Sequence, residues 1–334
     1  MKRVVFVLSA FLFLLPLQAE EVMPRRPVAT YSIVARDSTT GQLGVAVQSH
    51  FFSVGPIVPW AEPGVGAVAT QSLVDPAYGP LGLDLMRMGR TAPEALKALV
   101  SADKDAEVRQ VAMVDANGNV AAHTGKRAIY AAGHQTGTQY SVQANLMEKP
   151  TVWAAMSKAY ESSTGDLAER MLAALEAAEA EGGDIRGRQS AAILIVGPKN
   201  TNRPWTWGDR LFELRVEDHP NPVVELRRLV TLQRAYLKLN EGDEWLGKGD
   251  IEKALVAYRT ATEIVPDKAT NGEATFWVGV TLAEKGKPDQ AISFLARAYK
   301  QNKRWAEILS RLPASELLPD DPDLINRLVQ GMKE

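Results

Sequence analysis

Cysteine is absent from all 334 residues. That excludes disulfides, thiolate nucleophiles, Cys-ligated zinc and a lipidated N-terminal cysteine. Histidine is scarce: His50, His123, His134 and His219 stand at no paired-ligand spacing, and neither H-E-x-x-H nor G-x-S-x-G occurs. Zinc-dependent and serine-triad hydrolysis therefore lack their signatures. No metal site and no organic cofactor is implied. Charge of one sign is lacking too. Lys and Arg total 38 against 40 Asp and Glu, for a net charge of −2, with no long basic run. Releasing counterions from a phosphate backbone needs clustered cations, so no nucleic-acid partner is expected. Beyond the first residues no apolar run approaches the roughly 20 residues of a spanning helix, so no integral membrane segment is expected after the N-terminus.

What is present begins with Lys2-Arg3, an apolar run from Val4 to Leu17, and "LQA". That order reads as a signal peptide over residues 1–19, cut after Ala19, and points to a periplasmic or secreted protein. Residues 20–29, "EEVMPRRPVA", read as an exposed leader. From Thr30, strand-like runs recur at 30–36, 43–50, 65–71, 109–115, 119–124, 139–144, 190–196 and 210–216. "DSTTGQ" and "DANGN" supply hairpin turns. Helical blocks fall at about 79–101, with a Thr91/Glu94 capping box, and about 151–181, ended by Gly182-Gly183. Strands and helices segregated in this way predict an α+β domain of antiparallel sheets over 30–222.

Residues 223–312 are helical by periodicity, followed by a C-terminal tail over 313–334. A spacing of 37 relates Gly242 to Gly279, Gly249 to Gly286, Ala254 to Ala291, Tyr258 to Leu295 and Ala261 to Ala298. Small residues at matched offsets let paired helices approach, which resembles two tetratricopeptide repeats, with a plain helical bundle as the alternative. Such repeats would offer a docking surface for a protein or peptide partner. Two nucleotide-binding look-alikes fail on context. "GDEWLGKG" (242–249) lies among these helices and lacks the Ser or Thr for Mg²⁺, and "GVGAVA" (64–69) runs into a strand.

The first hairpin carries the chemistry. Alternation puts Thr30, Ser32 and Val34 on one face of a strand, and the return strand ends in Gln48-Ser49-His50. A threonine exposed as a chain's first residue can use its own α-amine, with a pKa of about 8, as the base for its hydroxyl. That arrangement needs neither cysteine nor histidine.

"TYSIVARDSTTGQLGVAVQSHFFSVGPIVPWAEPGVGAVATQSLVDPAYGPLGLDLM", "AAGHQTGTQYSVQANLM" and "GGDIRGRQSAAILIV" closely resemble a bacterial family without assigned activity, the domain-of-unknown-function family numbered 1028. Its fold is similar to that of the N-terminal nucleophile (Ntn) hydrolases. The resemblance covers about residues 29–230. It implies an αββα sandwich of Ntn-hydrolase type, followed here by an all-α tetratricopeptide-like domain, and hydrolysis of an amide or peptide-like bond. Thr30 matches the family's position just after the start methionine, whereas here ten residues left by signal cleavage precede it. A second cut, between Ala29 and Thr30, is then required. The catalytic candidates are Thr30, Ser32 and Asn145, with Asn145 or a nearby backbone N–H stabilising the oxyanion. The substrate-binding candidates are Gln48, Ser49, His50, Gln71 and Arg188, with Arg188 holding a substrate carboxylate. Each also has an ordinary structural reading: strand hydroxyls, a turn asparagine, an arginine paired with Asp184 or Asp209. The alternative for the whole chain is a non-catalytic envelope binding or scaffold protein.

Overall fold

The computed structural model describes residues 26–202 and 209–334. The expected signal peptide and most of the leader lie outside the described residues. The chain is a mixed α/β structure with two antiparallel sheets, followed by a helical C-terminal region.

Strands β1 (Thr30–Arg36) and β2 (Leu43–Ser49) form the expected hairpin, with Thr30 opposite Ser49 and Val34 opposite Val45. Asp37 shapes its turn by accepting from the backbone N–H groups of Thr39 and Thr40 at 2.9 and 2.7 Å. Next come β3 (Pro59–Glu62), β4 (Gly66–Ser72), β5 (Arg109–Asp115) and β6 (Val120–Thr124), and then β7 (Gly133–Gly137), β8 (Tyr140–Ala144), β9 (Ser190–Val196) and β10 (Arg210–Val216). One sheet has the order β10-β9-β2-β1-β8-β7, the other β3-β4-β5-β6. Neither β3 nor β7 is legible as a strand. "PWAE" is short and half-buried, and "GHQTG" is polar with glycine at both ends, so neither alternates.

The alternation of β1 decides the layers. Val34, Val45, Val47 and Leu194 of the six-stranded sheet share one apolar cluster with Ala67, Ala69, Ala112 and Val114 of the four-stranded sheet. On the opposite face, Tyr31, Ile33 and Ala35 pack with Met156 of α3 (Val152–Ser162) and Leu172 and Leu175 of α4 (Leu167–Ala180). Val68, Val111 and Met113 of the smaller sheet pack with α1 (Tyr78–Arg87) and α2 (Ala92–Ala102). Each of the two helical blocks comprises two helices. The first is interrupted before the Thr91 capping box, the second before Asp166, which caps α4 through the Glu169 N–H at 2.8 Å.

The helical region comprises α5 (Pro222–Gly247), α6 (Ile251–Ile264), α7 (Glu273–Glu284), α8 (Pro288–Gln301), α9 (Trp305–Leu309) and α10 (Pro322–Gly331). The 37-residue offsets fall at equivalent places. Gly242 faces the Tyr258 ring and Gly279 faces Leu295, while Gly249 (φ +75°) and Gly286 (φ +70°) turn the chain after α5 and α7 in the left-handed conformation that glycine favours.

Three expected boundaries need correction. Val28 and Ala29 are buried, so the leader is not exposed at its end. The division between 222 and 223 falls at the start of a continuous helix. Leu226 and Val230 of α5 belong to the core beneath the six-stranded sheet, whereas Leu239 belongs to the helical core. The expected tail is partly folded, with Leu328 and Met332 buried in that same helical core.

Candidate functional site

The hydroxyl-rich strand ends meet at one end of both sheets. Thr30 opens β1 beside Ser49, Ser49 pairs with Ser190 of β9, and Asn145 follows β8, its N–H donating to the Thr30 carbonyl at 3.0 Å. All four are fully buried. The Thr30 hydroxyl donates to the Val28 carbonyl at 2.7 Å.

The residues before Thr30 are built into this cluster. Val28 exchanges backbone hydrogen bonds with Ser72 at the end of β4, at 2.7 and 3.0 Å. The Ala29 carbonyl, which belongs to the Ala29–Thr30 peptide bond, accepts from Ser49 Oγ at 2.5 Å and Arg186 Nη2 at 2.9 Å. Arg186 Nη1 also reaches the Pro27 carbonyl at 3.4 Å. Asp184 fixes this guanidinium: Arg186 Nε and Nη2 donate to its carboxylate at 3.0 and 2.7 Å, and the His50 N–H donates to the same group at 3.0 Å. The Asp184 side chain is wholly buried, so one fixed anion holds one fixed cation against a carbonyl.

Behind Thr30 lies a buried amide network. Ser32 Oγ donates to Gln71 Oε1 at 2.7 Å and accepts from Gln143 Nε2 at 2.6 Å. Gln71 Nε2 donates to Gln110 Oε1 at 2.7 Å, which also accepts from Asn145 Nδ2 at 2.9 Å. Five buried polar side chains are thus linked in one network where the sheets meet, which rigidifies the floor of the site. Asn145 Oδ1, Ser72 Oγ and His50 Nδ1 are buried without a protein partner.

The candidates divide accordingly. Thr30, Ser32, Ser49, Gln71 and Asn145 come together. His50 touches the site through its backbone N–H and the Asp184 it shares with Arg186. Gln48 lies opposite Tyr31, on the other face of the sheet, buried with both amide atoms unpartnered. Arg188 is turned away: it pairs with Glu179 and donates to Asn221 Oδ1 at 3.0 Å, rather than meeting Asp184 or Asp209. Glu179 also accepts from the Tyr31 hydroxyl. Burial, reinforced by the Glu179 charge, pushes the Tyr31 phenol well above its ordinary range and keeps it protonated. Sequence reasoning missed Arg186 and named Asp184 only as a partner for Arg188. Both lie in the quoted stretch "GGDIRGRQS", but nothing in its spacing says which arginine turns inward.

A family described as a family of unknown function (DUF1028) matches residues 30–226. The chain belongs to this family. The match reaches from β1 into α5 and contains Thr30, Ser49, Asn145, Asp184 and Arg186. Among solved structures, the chain is similar to protein SPO2555 from Silicibacter pomeroyi, of the same DUF1028 family. The two are 32% identical with a TM-score of 0.54 over 60% of this chain and 84% of that one. Anbu (ancestral beta-subunit) from Yersinia bercovieri aligns at 15% identity and a TM-score of 0.30, over 60% of this chain and 92% of that one. No curated protein matches.

This DUF1028 chain also has a cleft of about 660 Å³ lined by Trp60, Glu62, Arg87, Arg210, Glu213 and Arg215 among others. It shares no residue with the strand-end cluster. Its arginines are paired with its own carboxylates, Arg87 with Glu62, and Arg210 and Arg215 with Glu213, so its described lining residues offer no uncompensated arginine. Among the described residues no three His, Asp or Glu side chains are grouped to hold a metal ion, and no helix is long and apolar enough to cross a membrane.

Proposed function

We propose that this protein is an exported amide hydrolase whose nucleophile is Thr30, freed by hydrolysis of the Ala29–Thr30 bond. One observation carries the reading: the carbonyl of that bond is held by two convergent donors, Ser49 Oγ and Arg186 Nη2. Donors fixed on a carbonyl oxygen stabilise the negative charge that develops there when a nucleophile adds to the carbon. In the first reaction Thr30 Oγ adds to the Ala29 carbonyl carbon and its proton passes to the departing Thr30 nitrogen. The C–N bond breaks to leave an ester, and water hydrolyses it. In later turnovers the free amine takes the hydroxyl proton as Oγ adds to a substrate amide. It then returns that proton to the leaving amine, and water releases the acyl group. Asn145 Nδ2 is committed to Gln110, so the oxyanion role passes from Asn145 to Ser49 and Arg186. Arg188 is paired with Glu179, so Arg186 replaces it as the substrate-facing cation.

The layer order suits an αββα sandwich of Ntn-hydrolase type, and the glycine-matched hairpins suit tetratricopeptide-like repeats that dock a peptide or protein. A second reading, a non-catalytic binding protein, is favoured by the buried Thr30 hydroxyl and its donation to the Val28 carbonyl. The mature N-terminus separates the two. N-terminal mass analysis of exported protein should find chains starting at Thr30, and a β-lactone should label them there. Thr30→Ala should abolish both, and Thr30→Ser should retain some of each. Chains that all start at Glu20 and resist labelling would leave only the binding reading.

A further inference from the structure

Residues 27–29 fill a slot made by three separate parts of the chain. β3 pairs with β4 only as far as Ala69, and the Thr70 N–H goes to Val58, so the Ser72 backbone beyond is open to a strand from elsewhere. Val28 takes that position through both of its backbone groups, and its side chain enters the apolar cluster between the sheets. Arg186 spans the segment from the Pro27 to the Ala29 carbonyl, and Ser49 meets it at Ala29. Val28 and Ala29 are 2% and 0% exposed.

Every one of these hydrogen bonds is to backbone, and the two buried side chains are small or compact. A slot of this kind reads an extended main chain and rejects bulk. We infer that it is the acyl-side subsite of the enzyme. After residues up to Ala29 leave, the slot takes an extended peptide with a small side chain at the residue whose carbonyl faces Ser49 and Arg186, preceded by a compact apolar residue. The catalytic meaning of the slot rests on the reading of Thr30 as nucleophile, whereas peptide capture needs only the slot. The charge fits as well. A peptide ending there presents a carboxylate to Arg186, whose guanidinium is already oriented by Asp184.

The probe is fluorescein-labelled Arg-Pro-Val-Ala with a free carboxylate, titrated by anisotropy into a chain that starts at Thr30. Arg-Pro-Val-Lys should bind about ten-fold more weakly or worse, because the slot would bury its ammonium without a partner. Arg186→Gln should weaken Arg-Pro-Val-Ala by about ten-fold, as the loss of a hydrogen bond from a charged donor implies. Equal affinity for the two peptides, or an Arg186→Gln protein that binds as well as the parent, overturns the proposal. Peptide capture without amide hydrolysis would refute the nucleophile and leave the slot standing. Hydrolysis with no acyl-side preference would do the reverse. A measurement in the uncut chain decides the matter even if the chain starting at Thr30 fails to fold. There Ala29→Lys should expel the segment and speed amide exchange at Val28 by about ten-fold or more, while Ala29→Gly leaves it protected. A Val28 amide still protected in Ala29→Lys would sink the slot.

Discussion

Ser32 stands between two glutamines, donating to Gln71 at 2.7 Å and accepting from Gln143 at 2.6 Å. Its hydroxyl both donates and accepts, and both partners are completely buried. Ser32→Ala leaves a buried amide oxygen and a buried N–H without that partner, a loss of about 1–3 kcal/mol per unsatisfied group. Urea unfolding should show that loss while β-lactone labelling at Thr30 persists. Labelling lost in Ser32→Ala but kept in Thr30→Ala would move the chemistry to Ser32.

Asp103 gives a pH dependence away from the site. Burial pushes its pKa up, but hydrogen bonds from the Arg109 guanidinium (2.8 Å), the Asp105 N–H (2.8 Å) and the Tyr78 hydroxyl (3.0 Å) outweigh it and hold the carboxyl below its usual range. A depressed folded pKa contributes stability that is fully present above the unfolded value, about pH 4, and is lost as pH falls through the folded one. Asp103→Asn should therefore be less stable than the parent at neutral pH. The gap should narrow in acid as the parent loses the same interaction. A gap of constant size from neutral to acid pH would show that the charge of Asp103 is immaterial.

The glycine offsets of the helical region make a third test. An added Cβ at Gly242 would lie 2.2 Å from the Tyr258 ring, and one at Gly279 would lie 2.6 Å from Leu295, whereas Gly247 faces open space. Gly242→Ala and Gly279→Ala should each cost about 1–3 kcal/mol by overpacking. Gly247→Ala, in the same helix as Gly242, should be neutral or stabilising by up to about 1 kcal/mol. Thermal melts followed by far-UV circular dichroism compare the three. Equal behaviour would mean that the helices do not approach closely at these glycines.

How much of this was legible depends on where the information sits. Val45 and Val47 alternate with small or polar neighbours (Gly44, Ala46 and Gln48), so period two marks their strand directly. Thr91 and Glu94 announced a helix start through a local hydrogen-bond pair. β7 carries no such pattern, because its place at a sheet edge is held by backbone pairing with β8 rather than by buried side chains. The folding of residues 313–334 is not visible locally, because Leu328 and Met332 are buried in a helical core assembled largely from earlier residues. Thr30 and Ser49 were legible as neighbours from hairpin register alone. The choice between Arg186 and Arg188 was not. Two residues apart in an irregular loop, they are separated by partners in different elements, the Ala29 carbonyl just before β1 for one and Glu179 near the end of α4 for the other.

The contact of Ser49 and Arg186 with one carbonyl also tells self-cleavage from cleavage by another protease. If Thr30 cuts its own peptide bond, the Ala29 carbonyl becomes an oxyanion during the reaction, and each donor stabilises it. Ser49→Ala removes the neutral donor without disturbing the Asp184–Arg186 pair. Removing one such donor slows acyl transfer by about 100-fold or more in comparable sites. In pulse-labelled protein, chains starting at Thr30 should then accumulate far more slowly, and Arg186→Gln should slow them further. A protease acting from outside predicts the opposite sign. It needs residues 27–29 to leave their buried place, and losing either donor loosens that segment, so the cut would come faster in both variants. Mass analysis of the N-terminus over time in the parent and the two variants reads the sign directly. A faster cut would assign processing to another enzyme and remove the self-cleavage step from the mechanism.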